Sequence, residues 1–163
     1  PLNGTAADMQ IIENLALAKR RGKRKTLRWC IGKNETEEYK ALLKEFDLGL
    51  DERLTQKVGT LSGGNQQKVV VGRELSIPLK LLIAAQPTRG VDIASAASIQ
   101  SKIMDAAEHG TGVLLISSDL DELIHTSDRI MVMSRGKIVD ILEAKNATKE
   151  RLGQLMLGVS QET

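Results

Sequence analysis

Aromatic side chains are nearly absent from this 163-residue sequence; Trp29, Tyr39 and Phe46 are the whole set. Any core must therefore be aliphatic, and a hydrophobic content of 41% is enough to build one. Cysteine is scarcer still. The single Cys30 cannot close an internal disulfide, which excludes a disulfide-stapled scaffold and fits a reducing compartment. No apolar run approaches the roughly 18 residues of a membrane span, and no secretory signal is visible. An excess of charge is lacking too: the net value of +2 names no partner. The length gives one domain as the prior, and an opening at Pro1 rather than Met gives the expectation of a fragment.

The elements follow from periodicity and punctuation. Residues 1–10 read as loop, and 11–21 as a helix with Ile11, Ile12, Leu15 and Ala18 on one face. Seven of the ten residues at 19–28 are basic, which reads as a solvated face. Nucleic acid and an anionic membrane surface are the functional alternatives; only Trp29 stands near enough to stack on a base, so nucleic acid is not expected. Asn34 and Glu37 have capping-box spacing and would start a helix to Phe46, with Tyr39, Leu42, Leu43 and Phe46 sharing a face. The run at 79–85, bounded by Pro78 and Pro87, reads as a buried strand, and 112–117 as a second. Between them 93–108 reads as a helix, with Asp92 as N-cap and Gly110 just past its end. A short helix at 120–125 follows. Strands at 129–133 and 137–142 flank Ser134, Arg135 and Gly136, a hairpin signal. Thr148 would cap a last helix at 149–157. This order argues for parallel strands covered by helices, with an antiparallel hairpin added. The five Met residues are expected to fill core gaps. His109 and His125 end helices, where a cation favours the dipole; neither has a second ligand at metal-binding spacing, so no metal site is expected.

The densest signal is the string LSGGNQQK at 61–68. Ser62 is a good N-cap, Gly63 and Gly64 leave backbone amides bare, and Gln66, Gln67 and Lys68 open a helix that runs to Leu75. Bare amides at a helix N-terminus favour an anion, and phosphate is the natural occupant. SGG alone reads as a capped helix after a glycine turn. The full string resembles the signature motif of ABC-type ATPases, in the form found in importers of ribose-like sugars and nucleosides.

The resemblance implies a fold: an α/β chain with part of a P-loop NTPase (RecA-like) core, a mainly parallel sheet and an α-helical signature subdomain. Residues 1–76 would be the helical subdomain ending in the signature helix, and 77–163 the C-terminal part of the RecA-like core. It also implies roles. Leu61, Ser62, Gly63, Gly64, Asn65 and Gln66 would contact nucleotide held by a second ATPase domain in a head-to-tail pair. The segment LLIAAQPTRGVD matches the Walker B strand and D-loop, with Asp92 as the D-loop Asp. Ala85 stands at the Walker B Asp position and Gln86 at the catalytic Glu position. Ser118 stands at the switch His position. Ala85 has no oxygen for a metal shell, and Gln86 can orient water but cannot take its proton, so this chain's own site reads as degenerate. AAQPTRG with the following ISSDLDEL resembles the second ATPase half of nucleoside and simple-sugar importers.

The phosphate-cradling loop GxxxxGK[ST], which supplies an amide nest and a Lys, does not occur in the sequence. ATP and Mg2+ are therefore expected for an intact family dimer and not as tight ligands of this chain alone, which is expected to be inactive as an ATPase. The implied partners are a second ATPase domain, transmembrane permease subunits and, indirectly, a substrate-binding protein. The implied location is cytoplasmic, on the inner face of the membrane through the permease. A non-catalytic interaction module and a basic nucleic-acid-binding fragment are the alternatives.

Overall fold

The computed structural model describes residues 4–19, 31–45 and 53–158. Trp29, Cys30, Phe46 and the basic run at 19–28, except the backbone of Lys19, lie outside the described residues. The chain divides into two compact units. One comprises Pro1–Leu82 with Pro87–Val113, the other Ile83–Gln86 with Leu114–Thr163.

The first unit is helical: α1 (Ile11–Lys19), α2 (Lys33–Glu45), α3 (Gly63–Leu75) and α4 (Ile93–Glu108). Its core is aliphatic, as the composition requires. Ile11, Leu15, Leu43, Val58, Val69 and Ile99 are buried, and Tyr39 is the one aromatic residue among the buried hydrophobics described. The apolar face read on 11–21 is the one α1 buries. Asn14 sits in that buried face without penalty. Its side-chain amide donates to the carbonyls of Ala6 and Gln10, and its Oδ1 accepts from the Ala6 amide at 3.0 Å. The start of α2 differs from the sequence reading. The helix begins one residue before Asn34, and the reach-back is made by Glu35, whose Oε2 accepts from the Gly32 amide at 3.3 Å. Gly32 takes the N-cap place because its carbonyl also accepts the Thr36 amide and hydroxyl.

Strands β1 (Leu81–Ala85) and β2 (Gly112–Ile116) form one two-stranded sheet. The Gly112 amide donates to Lys80 O and the Gln86 amide to Ile116 O, so the two run parallel, as a connection through α4 allows. In the second unit, β3 (Arg129–Ser134) and β4 (Lys137–Glu143) pair antiparallel. Arg135 (φ 48°) and Gly136 (φ 77°) both take left-handed backbone, the requirement of a two-residue type I′ turn. A bulge interrupts the ladder: Val132 faces Asp140 while Met133 faces Ile138, leaving Val139 as the extra residue. Ile130 and Val132 bury against Leu152 and Leu155 of α6 (Lys149–Met156), with Leu120 and Leu123 of α5 (Leu120–Thr126) packed alongside.

Two expectations about burial are corrected. The runs at 79–85 and 112–117 are strands, but not buried ones. Leu81 and Ile83 on β1 are 59% and 60% exposed, and Leu114 and Ile116 on β2 are 47% and 49% exposed. Their alternating pattern, covered residues between exposed ones, shows a single covered face. The methionines do not fill core gaps either: Met104, Met131, Met133 and Met156 are exposed, and Met9 is half-buried.

Candidate functional site

The first group of site residues lies at the start of α3. Ser62 is the N-cap in extended backbone, and its Oγ accepts the Asn65 amide at 3.4 Å. The Gln66 amide goes to Ser62 O at 2.9 Å, and its side-chain amide donates back to Leu61 O at 2.9 Å. The helix begins at Gly63 rather than at Gln66, so the Gly63 and Gly64 amides are first-turn amides with no partner inside the helix. Leu61, Ser62, Gly63, Gly64, Asn65 and Gln66 are thus built into one turn, with its amides and the positive end of the helix at the same place.

The N-terminus of α4 packs on this turn. Asp92 caps α4: Oδ1 accepts the Ser95 amide at 2.9 Å and Oδ2 the Ser95 hydroxyl at 2.8 Å. The Ser95 amide, then its hydroxyl, and with them the nearby Lys68 charge, hold the Asp92 carboxyl below its ordinary 3.8. The sign follows directly. A lowered folded-state pKa gives stability that is fully present above the unfolded value and lost as pH falls through the folded one. Thermal melts across pH 2 to 6 should show that loss only on the acid side of about 3.8. Asp92→Asn should remove its share of the acid limb; an unchanged limb would count against a charged cap.

The second group lies in the other unit, at the end of β1. Ala85 ends the strand. Gln86 follows at φ 51°, a left-handed conformation that costs a residue with a long side chain and is held by the hydrogen bond its backbone amide donates to Ile116 O at 2.7 Å. The Ser118 hydroxyl donates to Gln86 Oε1 at 3.2 Å. The two positions that the resemblance gives to a catalytic Glu and a switch His are therefore in contact, as a neutral amide and a hydroxyl. This donor set does not fit a magnesium shell. Ala85 offers a methyl group, and Gln86 turns its oxygen to Ser118. Among the described residues, no group of three or more His, Cys, Asp or Glu side chains could hold a metal ion.

No protein-family model matches the sequence. Individual relatives do. The chain is 39% identical over 168 aligned residues to a glucose import ATP-binding protein of Haloferax volcanii, covering 98% of this chain and 30% of that protein. It is 35% identical over 161 residues to a guanosine import ATP-binding protein of Bacillus subtilis, covering 98% and 31%. Among solved structures, an ATP-binding cassette of an ABC transporter superposes with a TM-score of 0.75 at 24% identity, covering 98% of this chain and 64% of that one. The sequence is similar to import ATP-binding proteins. The fold is the P-loop NTPase architecture of an ATP-binding cassette with its helical subdomain. A second ATP-binding cassette, in a dimeric post-hydrolysis state with ADP and Pi, superposes at a TM-score of 0.71, 22% identity and 85% and 58% coverage. The chain spans about a third of the length of the curated relatives quoted.

Ser95 and Gly90 are the neighbours of the turn at Ser62–Gly64 that the sequence did not single out. Their approach depends on how α3 and α4 pack, which no local pattern encodes.

Proposed function

We propose that this chain is part of the ATP-binding component of an importer of simple sugars or nucleosides, and that it offers its signature turn to nucleotide held by a second ATPase domain. The single observation that carries this is the turn itself: a Ser62-capped helix with the Gly63 and Gly64 amides at its positive end. The names of its relatives supply the solute class. In this reading the chain's own site is degenerate, with Ala85, Gln86 and Ser118 unable to hold the metal or take a proton from water. It works beside permease subunits on the cytoplasmic face of the membrane, with a substrate-binding protein acting indirectly. Residues 1–76 form the signature subdomain and 77–163 part of the RecA-like core. The open apolar faces of the strands support its being one part of a larger ATPase domain.

The test is association. Mixed with an intact family ATPase domain that has its own phosphate loop, the chain should sediment as a one-to-one complex with ATP and not without it. Gly64→Asp puts a carboxylate at the anion end of the helix and should weaken that pairing at least tenfold. Ala85→Asp with Gln86→Glu should leave pairing unchanged, since those positions serve the chain's own site. Pairing indifferent to ATP and to Gly64→Asp would leave only the non-catalytic module.

A further inference from the structure

Neither glycine of the signature turn is required by its backbone. Positive φ among the glycines belongs to Gly4, Gly90, Gly110, Gly136 and Gly158, not to Gly63 or Gly64. Their surroundings separate them. A Cβ built on Gly63 has the Gly90 carbonyl oxygen at 3.6 Å as its close neighbour, an ordinary contact. A Cβ built on Gly64 would lie 2.7 Å from Ser95 Oγ, 3.0 Å from Asp92 Oδ2 and 3.1 Å from Ser95 Cβ. Nothing there can swing aside cheaply. Ser95 is 5% exposed, and its hydroxyl and amide are both bound to Asp92. Lys68, one turn further along α3 and 8% exposed, adds its charge close enough to act on the Asp92 carboxylate.

We propose that Ser95 is a positioning residue for the signature turn: with Asp92 it forms a seat against which the α3 backbone rests at Gly64, and Gly64 is glycine because that seat leaves no room for a side chain. The seat acts within one chain. It fixes where the Gly63 and Gly64 amides point, and it makes any displacement of the Asp92 loop a displacement of those amides. The link to nucleotide rests on the function proposed above; the seat itself does not.

The test therefore has two arms on the full chain. The first reads the contact alone. Gly63→Ala should leave the melting temperature nearly unchanged, while Gly64→Ala lowers it by several degrees. In a Ser95→Gly background the further loss from Gly64→Ala should fall to less than half, because the closest atom, Ser95 Oγ, and Ser95 Cβ are both gone. Equal losses in both backgrounds, or equal losses at Gly63 and Gly64, overturn the seat. If Gly64→Ala does not fold, Ser95→Ala decides. It removes only the hydroxyl and adds no overlap. The Gly64 and Asn65 amide resonances should shift and their hydrogen exchange should quicken severalfold, with distant amides unmoved; unchanged resonances and exchange overturn the proposal. The second arm reads pairing. Ser95→Ala should weaken ATP-dependent association with an intact ATPase domain about threefold to tenfold at an unchanged fold, and Ser95→Cys, which keeps a weak donor, should recover part of it. Ser95→Ala pairing as well as the parent overturns the positioning role. An unsubstituted chain that never pairs sinks the functional reading, and the melts and exchange still decide the seat.

Discussion

Mg-ATP titrated into this chain alone should give no saturable signal at micromolar concentration, and no turnover. Micromolar affinity corresponds to about 8 kcal/mol of binding free energy. In P-loop ATPases much of it comes from an amide nest and a Lys around the phosphates and from a metal held beside them. GxxxxGK[ST] does not occur in this sequence. In the proposed reading the metal and catalytic positions contribute little either, since Ala85 brings no oxygen and Gln86 Oε1 is engaged by Ser118. The phosphate contact proposed for the described residues is the N-terminus of α3, worth about 0.3–1 kcal/mol for an exposed anion and about 2 at best. The shortfall is about 6 kcal/mol, so the dissociation constant should lie at least a thousandfold above micromolar. Isothermal titration and a phosphate-release assay check this. Tight one-to-one binding would mean that the chain holds phosphate by other groups and that Gln86 and Ser118 need a new role.

The second large effect comes from the open strand faces. On the hairpin, Met131 faces Ile141 and Met133 faces Ile138, and all four side chains are exposed, from 45% to 60%. Half-burying each is worth about 1 kcal/mol, so covering the set gains about 4, a factor of about a thousand in an association constant before the entropy of association is subtracted. Ile83, Leu114 and Ile116 add to it, and the short strands leave edge groups open to pairing. The chain alone should therefore tend to self-associate as its concentration rises, bind an apolar dye and melt broadly or below about 60 °C. Met131→Glu with Ile141→Lys places opposite charges directly across the ladder and should move the sedimentation profile towards monomer. A parent chain that is monomeric and melts sharply well above that temperature would contradict the expectation.

Most local structure was legible in the residues. Ser62, Asp92 and Thr148 each cap the helix they were expected to cap, because a cap is decided within three residues. The turn at Arg135 and Gly136 was equally local. The cap of α2 was misplaced by two residues because Glu35 and Glu37 both have the chemistry, and only the backbone at Gly32 chooses between them. Burial was the larger error. An apolar run shows that a strand tolerates cover on both sides, not that this chain supplies it; β1 and β2 have one face covered. The candidate site divides the same way. The motif marked its own residues, whereas the approach of Ser95 to Gly64 joins positions 31 apart in sequence through helix packing. The contact of Ser118 with Gln86 joins positions 32 apart through strand pairing.

The bulge at Val139 has a consequence for parity. In an uninterrupted strand, residues 138, 140 and 142 would share one side, and Ile138 would lie beside Asp140 and Leu142, towards α6. The extra residue shifts the count by one. Ile138 and Ile141, three apart, then come out on the same side, opposite Met133 and Met131. Asp140 keeps the inner side, where its carboxylate stands 3.7 Å from the Arg151 guanidinium of α6. One supernumerary residue thus acts as a phase correction: it gathers the four apolar side chains into a single outward ladder and leaves the charge in the middle of the strand facing its partner.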